Sequence, residues 1–231
     1  MIRPSRSCRS RAWSPRRCAA LLASLLGLIA LPAAAVEVRV LSEGRPVADA
    51  VVTLSPVGRA AATTPMEAVM DQVNSEFEPR VLVVTKGSRV HFPNRDRIRH
   101  QVYSFSPAKR FELPLYTGTP PEPVVFDRAG VVTLGCNIHD WMKGYIVVVD
   151  TPYFALSDGE GRARVDLPPG EYLLTAWHER LPTIDAAPKR HIRLPAASAE
   201  VLELPLAPPP PPRGDERLRA LQERLRAPPR P

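Results

Sequence analysis

A short loop between two apolar runs is the most constraining feature of this sequence. Residues 131–134 and 145–149 are rich in valine, and the loop between them contains Gly135-Cys136-Asn137-Ile138-His139-Asp140-Trp141-Met142. Runs of this length and composition predict two strands, with the loop at one end of a β-sandwich. Side chains with sulfur and nitrogen donors are therefore held together on one short segment.

The donor atoms of this loop point to a metal site. Cys136, His139 and Met142 follow one another at intervals of three residues. A thiolate, an imidazole and a thioether, joined by a second imidazole from elsewhere, form the ligand set of a mononuclear copper site suited to electron transfer. The alternative is a buried structural thiol, with Met142 as a filler of the core.

Composition predicts an all-β protein with two small domains. The chain has 231 residues, of which 28 are proline and 44% are hydrophobic, and so much proline argues against a helical fold. Residues 36–41 and 50–54 alternate as strands do, and residues 43–46 form a turn signal between them.

The first 35 residues have the pattern of an export signal. Six arginines precede or border an apolar run over residues 19–31, and three alanines follow at 33–35. A membrane anchor is the alternative, but this run has fewer residues than the roughly 20 that a helix needs to cross a bilayer. We expect cleavage before Val36, a periplasmic location and no remaining membrane span.

Removal of this segment changes the charge and the cysteine content. Loss of six arginines reduces the formal net charge from +7 to +1, which excludes the basic footprint of a nucleic-acid-binding protein. Cys8 and Cys18 are also lost, so Cys136 remains alone in an oxidising compartment. A bound metal would protect that thiol.

The segments on either side of the middle of the chain resemble one domain. Gly44-Arg45-Pro46-Val47-Ala48-Asp49-Ala50-Val51-Val52 is similar to the first hairpin of carboxypeptidase-regulatory-like sandwiches. The segments that would complete such a domain follow at residues 157–161, 167–177, 191–194 and 201–206. This resemblance implies that the middle of the chain is inserted into a loop of the flanking domain. Two consecutive domains are the alternative.

The middle of the chain resembles the cupredoxins, the plastocyanin-like blue copper proteins. The similarity covers roughly residues 70–150 and rests on Phe77-x-Pro79, Gly87-x-x-Val90-x-Phe92-x-Asn94-x-Asp96, His100-x-Val102 and Cys136-x2-His139-x2-Met142. The short final spacing is most similar to amicyanin, and residues 103–111 resemble proteins labelled methylamine utilisation proteins. The resemblance implies a Greek-key β-sandwich. Period-two alternation places Val90 and Phe92 inside and His91 outside.

The resemblance also implies the roles of individual residues. His100, Cys136 and His139 would be the trigonal ligands of one type 1 copper ion, and Met142 its weak axial ligand. The backbone N–H of Gln101 would donate to the Cys136 sulfur. Asn94, like Gln101, would support the ligands without binding the metal itself. Because protons compete with the metal for thiolate and imidazole, copper affinity is expected to fall in acid.

Two positions depart from the cupredoxin pattern. Many relatives have asparagine where this chain has Gln101, and amicyanin has proline where this chain has Asp140. Asp140 therefore places a carboxylate beside the expected exposed ligand His139. Trp141 offers a large apolar surface at the same edge, so Asp140 and Trp141 are the predicted docking residues.

The sequence thus predicts a periplasmic copper protein, not an enzyme, that carries single electrons between redox proteins by outer-sphere transfer. A copper store or chaperone, a copper enzyme with an open ligand position, and a binding module without metal are the alternatives. The predicted segments are a signal peptide at 1–35, sandwich parts at 36–62 and 152–206, a cupredoxin domain at 66–150 and a proline-rich tail at 207–231 with a short helix at 215–226.

Overall fold

The computed structural model describes residues 34–195 and 199–209. The predicted signal peptide, apart from its last two residues, and the predicted tail helix lie outside this described part. Within it, no helix has the length and apolar character needed to cross a membrane.

The described residues form short strands and one 3-10 helix, Ile184–Ala186. The strands are β1 Ala34–Ser42, β2 Arg45–Pro46, β3 Val51–Pro56, β4 Glu67–Val69, β5 Asp71–Val73, β6 Glu76–Glu78, β7 Val81–Thr85, β8 Ser88–His91, β9 His100–Ser106, β10 Lys109–Tyr116, β11 Val124–Phe126, β12 Gly130–Gly135, β13 Lys143–Val149, β14 Phe154–Leu156, β15 Arg162–Leu167, β16 Gly170–Trp177, β17 Lys189–Leu194 and β18 Ala199–Glu203. The predicted all-β class is confirmed.

The two ends of the described chain pair with each other. One sheet has the order β15-β1-β18, with β2 beside β1, and a second has the order β14-β3-β16-β17. Alternating valine, leucine and alanine side chains of these sheets bury a common core that includes Val38, Leu54, Leu174 and Leu202. We call this unit the flanking sandwich, and it is the second β-sandwich that the sequence predicted.

The middle strands form a second unit, which we call the site sandwich. A five-stranded sheet has the order β10-β9-β12-β13-β7, and it packs with a three-stranded sheet β11-β8-β4 and the hairpin β5-β6. β7 pairs parallel with β13 and leads into β8 of the opposite sheet. The order is therefore non-sequential, as expected for a Greek-key sandwich. Its core includes Phe77, Phe92, Phe126 and Ile146.

The alternation predicted around His91 is confirmed. Val90 and Phe92 are buried, whereas the ring of His91 is partly exposed and its Nε2 lies 2.9 Å from Oε2 of Glu67. Because successive side chains of a strand point to opposite faces, one buried pair fixes the orientation of the whole strand.

A third apolar cluster joins the two sandwiches. Val51 of the flanking sandwich is buried together with Val81, Val147 and Val149 of the site sandwich. The ring of Trp177 packs against that of Tyr145, with 5.5 Å between centroids. The flanking sandwich therefore packs against the β7–β13 side of the five-stranded sheet.

Candidate metal centre

Side chains of His100, Cys136 and His139 converge at one end of the site sandwich. One ring nitrogen of each histidine and the Cys136 Sγ lie within 4.8 Å of one another. Sγ of Cys136 is 4.0 Å from Nδ1 of His100, and the two imidazole centroids are 5.0 Å apart. His100 is fully buried and Cys136 is 3% exposed, while His139 is partly exposed.

Strand pairing brings these distant residues together. β9 begins with His100, β12 ends just before Cys136, and the two strands are antiparallel with Tyr103 opposite Gly135. An antiparallel pair places the start of one strand beside the end of the other. The loop then turns back, because the backbone N–H of Met142 donates to the carbonyl of His139 at 2.9 Å.

A carboxylate fixes the orientation of the His100 ring. Nε2 of His100 lies 2.8 Å from Oδ2 of Asp96. Since an ionised carboxylate only accepts hydrogen bonds, Nε2 carries the proton and donates it. The lone pair of the neutral ring is then on Nδ1, the atom that faces the Cys136 sulfur.

Asp96 is itself held by backbone donors. The N–H groups of Asn74 and Ser75 donate to Oδ1 and Oδ2 of Asp96, each at 2.8 Å. Burial alone raises the pKa of Asp96, but the hydrogen bonds from Ser75, His100 and Asn74 outweigh it and hold the pKa below its ordinary value. The carboxylate is thus stabilised in its charged, accepting form.

His139 provides an independent indication of a ligand. Its Nδ1 is buried and has no hydrogen-bond partner among the described residues. A buried polar atom without a partner loses the hydrogen bonds that it makes to water, so such atoms are rare unless something else satisfies them. A metal ion between His100, Cys136 and His139 would satisfy it.

The donor set fits copper. Metal bonds to histidine nitrogen and cysteine sulfur are about 2.0–2.3 Å, so two ligands of one ion lie about 4 Å apart. The observed Sγ to Nδ1 distance has this magnitude. Two imidazoles and one thiolate in a trigonal arrangement are typical of mononuclear copper sites of the electron-transfer type.

Met142 lies in the same region as these three side chains. Its side chain is 1% exposed and belongs to the apolar core cluster that contains Cys136. Both residues also line an open cavity of about 470 Å³, together with Tyr103, Phe105 and Lys143. The role of Met142 as axial ligand stays a prediction.

The predicted supporting residues take different positions. Asn94 is buried, donates through Nδ2 to the carbonyls of Ile98 and Tyr116, and accepts the N–H of Asp96 on Oδ1 at 2.9 Å. The side chain of Gln101 donates instead to Oε1 of Glu112 at 2.6 Å. The hydrogen bond from the Gln101 N–H to the Cys136 sulfur stays a prediction.

The predicted docking residues lie on the surface. Trp141 is 50% exposed, and its ring centroid is 4.9 Å from that of His139. Asp140 is also exposed. Ile98 and Ile138, each 48% exposed, add apolar surface to the two loops that carry the histidines.

Sequence reasoning named Asp96 only as part of a motif and gave it no role. Asp96 stands four positions before His100 and two after Asn94. That spacing was the available signal, because an aspartate close to a metal-binding histidine often accepts a hydrogen bond from its second ring nitrogen.

No family model matches this chain, and no curated protein matches it. Solved structures are similar over part of it. A copper-containing nitrite reductase from Thermus scotoductus SA-01 is 27% identical and has a TM-score of 0.34, over 41% of this chain and 25% of its own. A purple cupredoxin from Nitrosopumilus maritimus is 23% identical with a TM-score of 0.31, over 35% of this chain and 96% of its own.

A reduced Cu(I) form of an amicyanin variant is 25% identical with a TM-score of 0.32, over 42% of this chain and 98% of its own. This chain matches only a quarter of the nitrite reductase. Each likeness covers less than half of this chain. The metal centre is inferred from the chain's own side chains.

Proposed function

We propose that this chain binds one copper ion through His100, Cys136 and His139, with Met142 as a weak axial ligand, and carries single electrons between redox proteins. The observation that carries the proposal is the convergence of two imidazoles and a thiolate within 4.8 Å, with a buried and unpartnered Nδ1 on His139. No hydrogen bond within the described residues accounts for that nitrogen.

The protein supplies a rigid, mostly dry environment for the metal. Bound copper would supply one-electron chemistry, because sulfur favours Cu(I) and nitrogen favours Cu(II). His100 and Cys136 are buried, so water has little access to that side of the centre. A strand start, a strand end and a tight turn position the ligands, so they need move little between the two oxidation states.

A surface route for the electron runs through His139. This ligand is partly exposed, and its ring packs against that of Trp141. Ile98 and Ile138 are exposed apolar residues on the two loops that carry the histidines. Apolar patches of this kind favour a brief contact with a protein partner. Four ligands would leave no position for a substrate, which favours a carrier over an enzyme.

The export pattern of residues 1–35 supports a periplasmic location for this activity. The flanking sandwich packs against the β7–β13 side of the site sandwich. We propose that it presents the His139 surface to the redox partners. The predicted domain boundaries at residues 62–66 and 150–152 belong to the same proposal.

Optical and paramagnetic spectra of the copper-loaded protein test the function. An intense visible charge-transfer band from thiolate to copper is expected, and Cys136→Ser should abolish it. His91→Gln is the matched control, since His91 lies on the surface beside Glu67 and should leave the band unchanged. Absence of the band in the unaltered protein would refute the proposal.

A second measurement separates a carrier from a copper store. A carrier keeps its metal and exchanges electrons, so copper should leave slowly when a chelator is added. Rapid loss of copper to the chelator, together with slow electron exchange, would favour a store or chaperone.

A further inference from the structure

The turn between β5 and β6 lies against the loop that leads to His100. Asn74 and Ser75 at its tip have φ values of 54° and 58°. Positive φ at both central positions is the mark of a type I′ hairpin turn, which points successive N–H groups outward. Here both N–H groups end on the carboxylate of Asp96.

This arrangement restrains the carboxylate from both sides. Asn74 donates to Oδ1, while Ser75 and His100 donate to Oδ2. Asn94 accepts the backbone N–H of the same aspartate at 2.9 Å. With both oxygens occupied and the backbone fixed, rotation of the Asp96 side chain would break at least two hydrogen bonds.

The two histidines of the centre are held differently. His100 is fully buried, and its Nε2–H has a fixed acceptor in Asp96. His139 is partly exposed, and its ring packs against the rings of Trp141 and His100. Among the described residues, His100 is therefore the imidazole whose second ring nitrogen has a carboxylate partner.

We propose that Asp96, clamped by the backbone of the β5–β6 turn, is a positioning residue that fixes the ring orientation and the Nε2–H tautomer of His100 for metal binding. The inference rests on the proposed role of His100 as a ligand. It makes residues 71–78, which contribute no ligand, a required support of the centre. Charged partners of metal-binding histidines commonly act in this way.

Removal of the carboxylate leaves several N–H donors without their acceptor. Asp96→Ala deprives three N–H groups of their acceptor, those of Asn74, Ser75 and His100. Asp96→Asn keeps the shape and one acceptor oxygen but loses the charge. The two variants therefore weaken the acceptor by different amounts, Asp96→Asn less than Asp96→Ala.

The first test uses metal-free protein, so its outcome does not depend on copper. Nitrogen-15 NMR of the histidines should show a single Nε2–H tautomer of His100, with a slowly exchanging Nε2 proton. Asp96→Ala should make that proton exchange at least about tenfold faster, since the buried hydrogen bond is lost. Asp127→Ala, which removes an exposed carboxylate of the same sandwich, is the control and should change nothing.

The second test measures copper affinity. Loss of an outer-shell partner typically costs 10- to 100-fold in metal affinity, so Asp96→Ala should weaken binding about 10- to 100-fold and Asp96→Asn less. Asp127→Ala is the control here as well, and should bind copper as the unaltered protein does.

Each result has one meaning. An unchanged Nε2 proton and a copper affinity within twofold in Asp96→Asn and Asp96→Ala would overturn the inference, and so would a Nδ1–H tautomer in the unaltered protein. If Asp96→Ala does not fold, Asp96→Asn decides alone. If the unaltered protein binds no copper, the proposed function fails while the metal-free experiment still decides the role of Asp96.

Discussion

Sγ of Cys136 lies 4.0 Å from Nδ1 of His100, although the two residues are 36 positions apart in the chain. The pairing of β9 with β12 creates this contact, and the loop that follows Cys136 adds His139 to it. A metal ion bound here would tie the two strand ends together. It would therefore stabilise the folded state and have little affinity for the unfolded chain.

Copper should raise the thermal stability of the protein. At a free copper concentration of about 1,000 times the dissociation constant, binding adds about 4 kcal/mol to the free energy of unfolding. The gain should shrink as the pH falls, because protons compete with copper for the thiolate and the imidazoles. Differential scanning calorimetry with and without copper measures it. A gain of equal size in Cys136→Ser would contradict the predicted centre.

Gly161 should tolerate no side chain. A Cβ there would lie 2.4 Å from the carbonyl oxygen of Val40, and the φ of Gly161 is 73°. Gly161→Ala should therefore lower the free energy of unfolding by at least about 2 kcal/mol. Gly159→Ala in the same turn meets no atom within 4 Å and should change it by less than about 0.5 kcal/mol. If urea unfolding shows the same loss of unfolding free energy in Gly161→Ala and Gly159→Ala, the close contact of Gly161 with Val40 does not matter for stability.

His178 should make the protein less stable in acid. Burial lowers the pKa of His178 below its ordinary value of 6.5, and the nearby Arg180 lowers it further. Above pH 6.5 neither state binds the proton. As the pH falls below 6.5, the unfolded chain binds a proton that the folded protein does not, so the free energy of unfolding declines.

The pH dependence of unfolding checks this prediction. His178→Gln cannot take up a proton and should flatten the decline below pH 6.5, whatever its effect at neutral pH. His191→Gln, at an exposed histidine, is the control and should leave the slope as it is. Equal slopes in the two variants would contradict the prediction.

The apolar surface around His139 should control electron exchange between two copies of the protein. Ile138→Asp places two like charges face to face in the encounter of copper centres, which costs energy and should slow self-exchange at least about tenfold. Val201→Asp alters an equally exposed residue of the flanking sandwich and should have little effect. NMR line broadening in mixtures of the reduced and oxidised protein measures the rate. An unchanged rate in Ile138→Asp would rule out this surface as the electron route.

Local patterns in the sequence were enough for several strands and for one group of candidate ligands. Val90, His91 and Phe92 alternate between core and surface as predicted, because side chains of a strand point to opposite faces in turn. Cys136, His139 and Met142 stand on one loop, so their proximity follows from spacing alone. His100 entered through a resemblance, and its position beside Cys136 depends on the register of β9 and β12.

Local sequence patterns could not predict contacts between segments that are distant in sequence. Asp96 receives the N–H groups of a hairpin turn more than 20 residues earlier, and Arg80 pairs with Glu179 across the two sandwiches. Spacing and periodicity carry no information about such pairs, because they arise only when sheets have stacked and registers are set. The sequence by itself determined the strand pattern and the donor chemistry of the loop. The tertiary structure decided which imidazole faces the thiol and which carboxylate orients it.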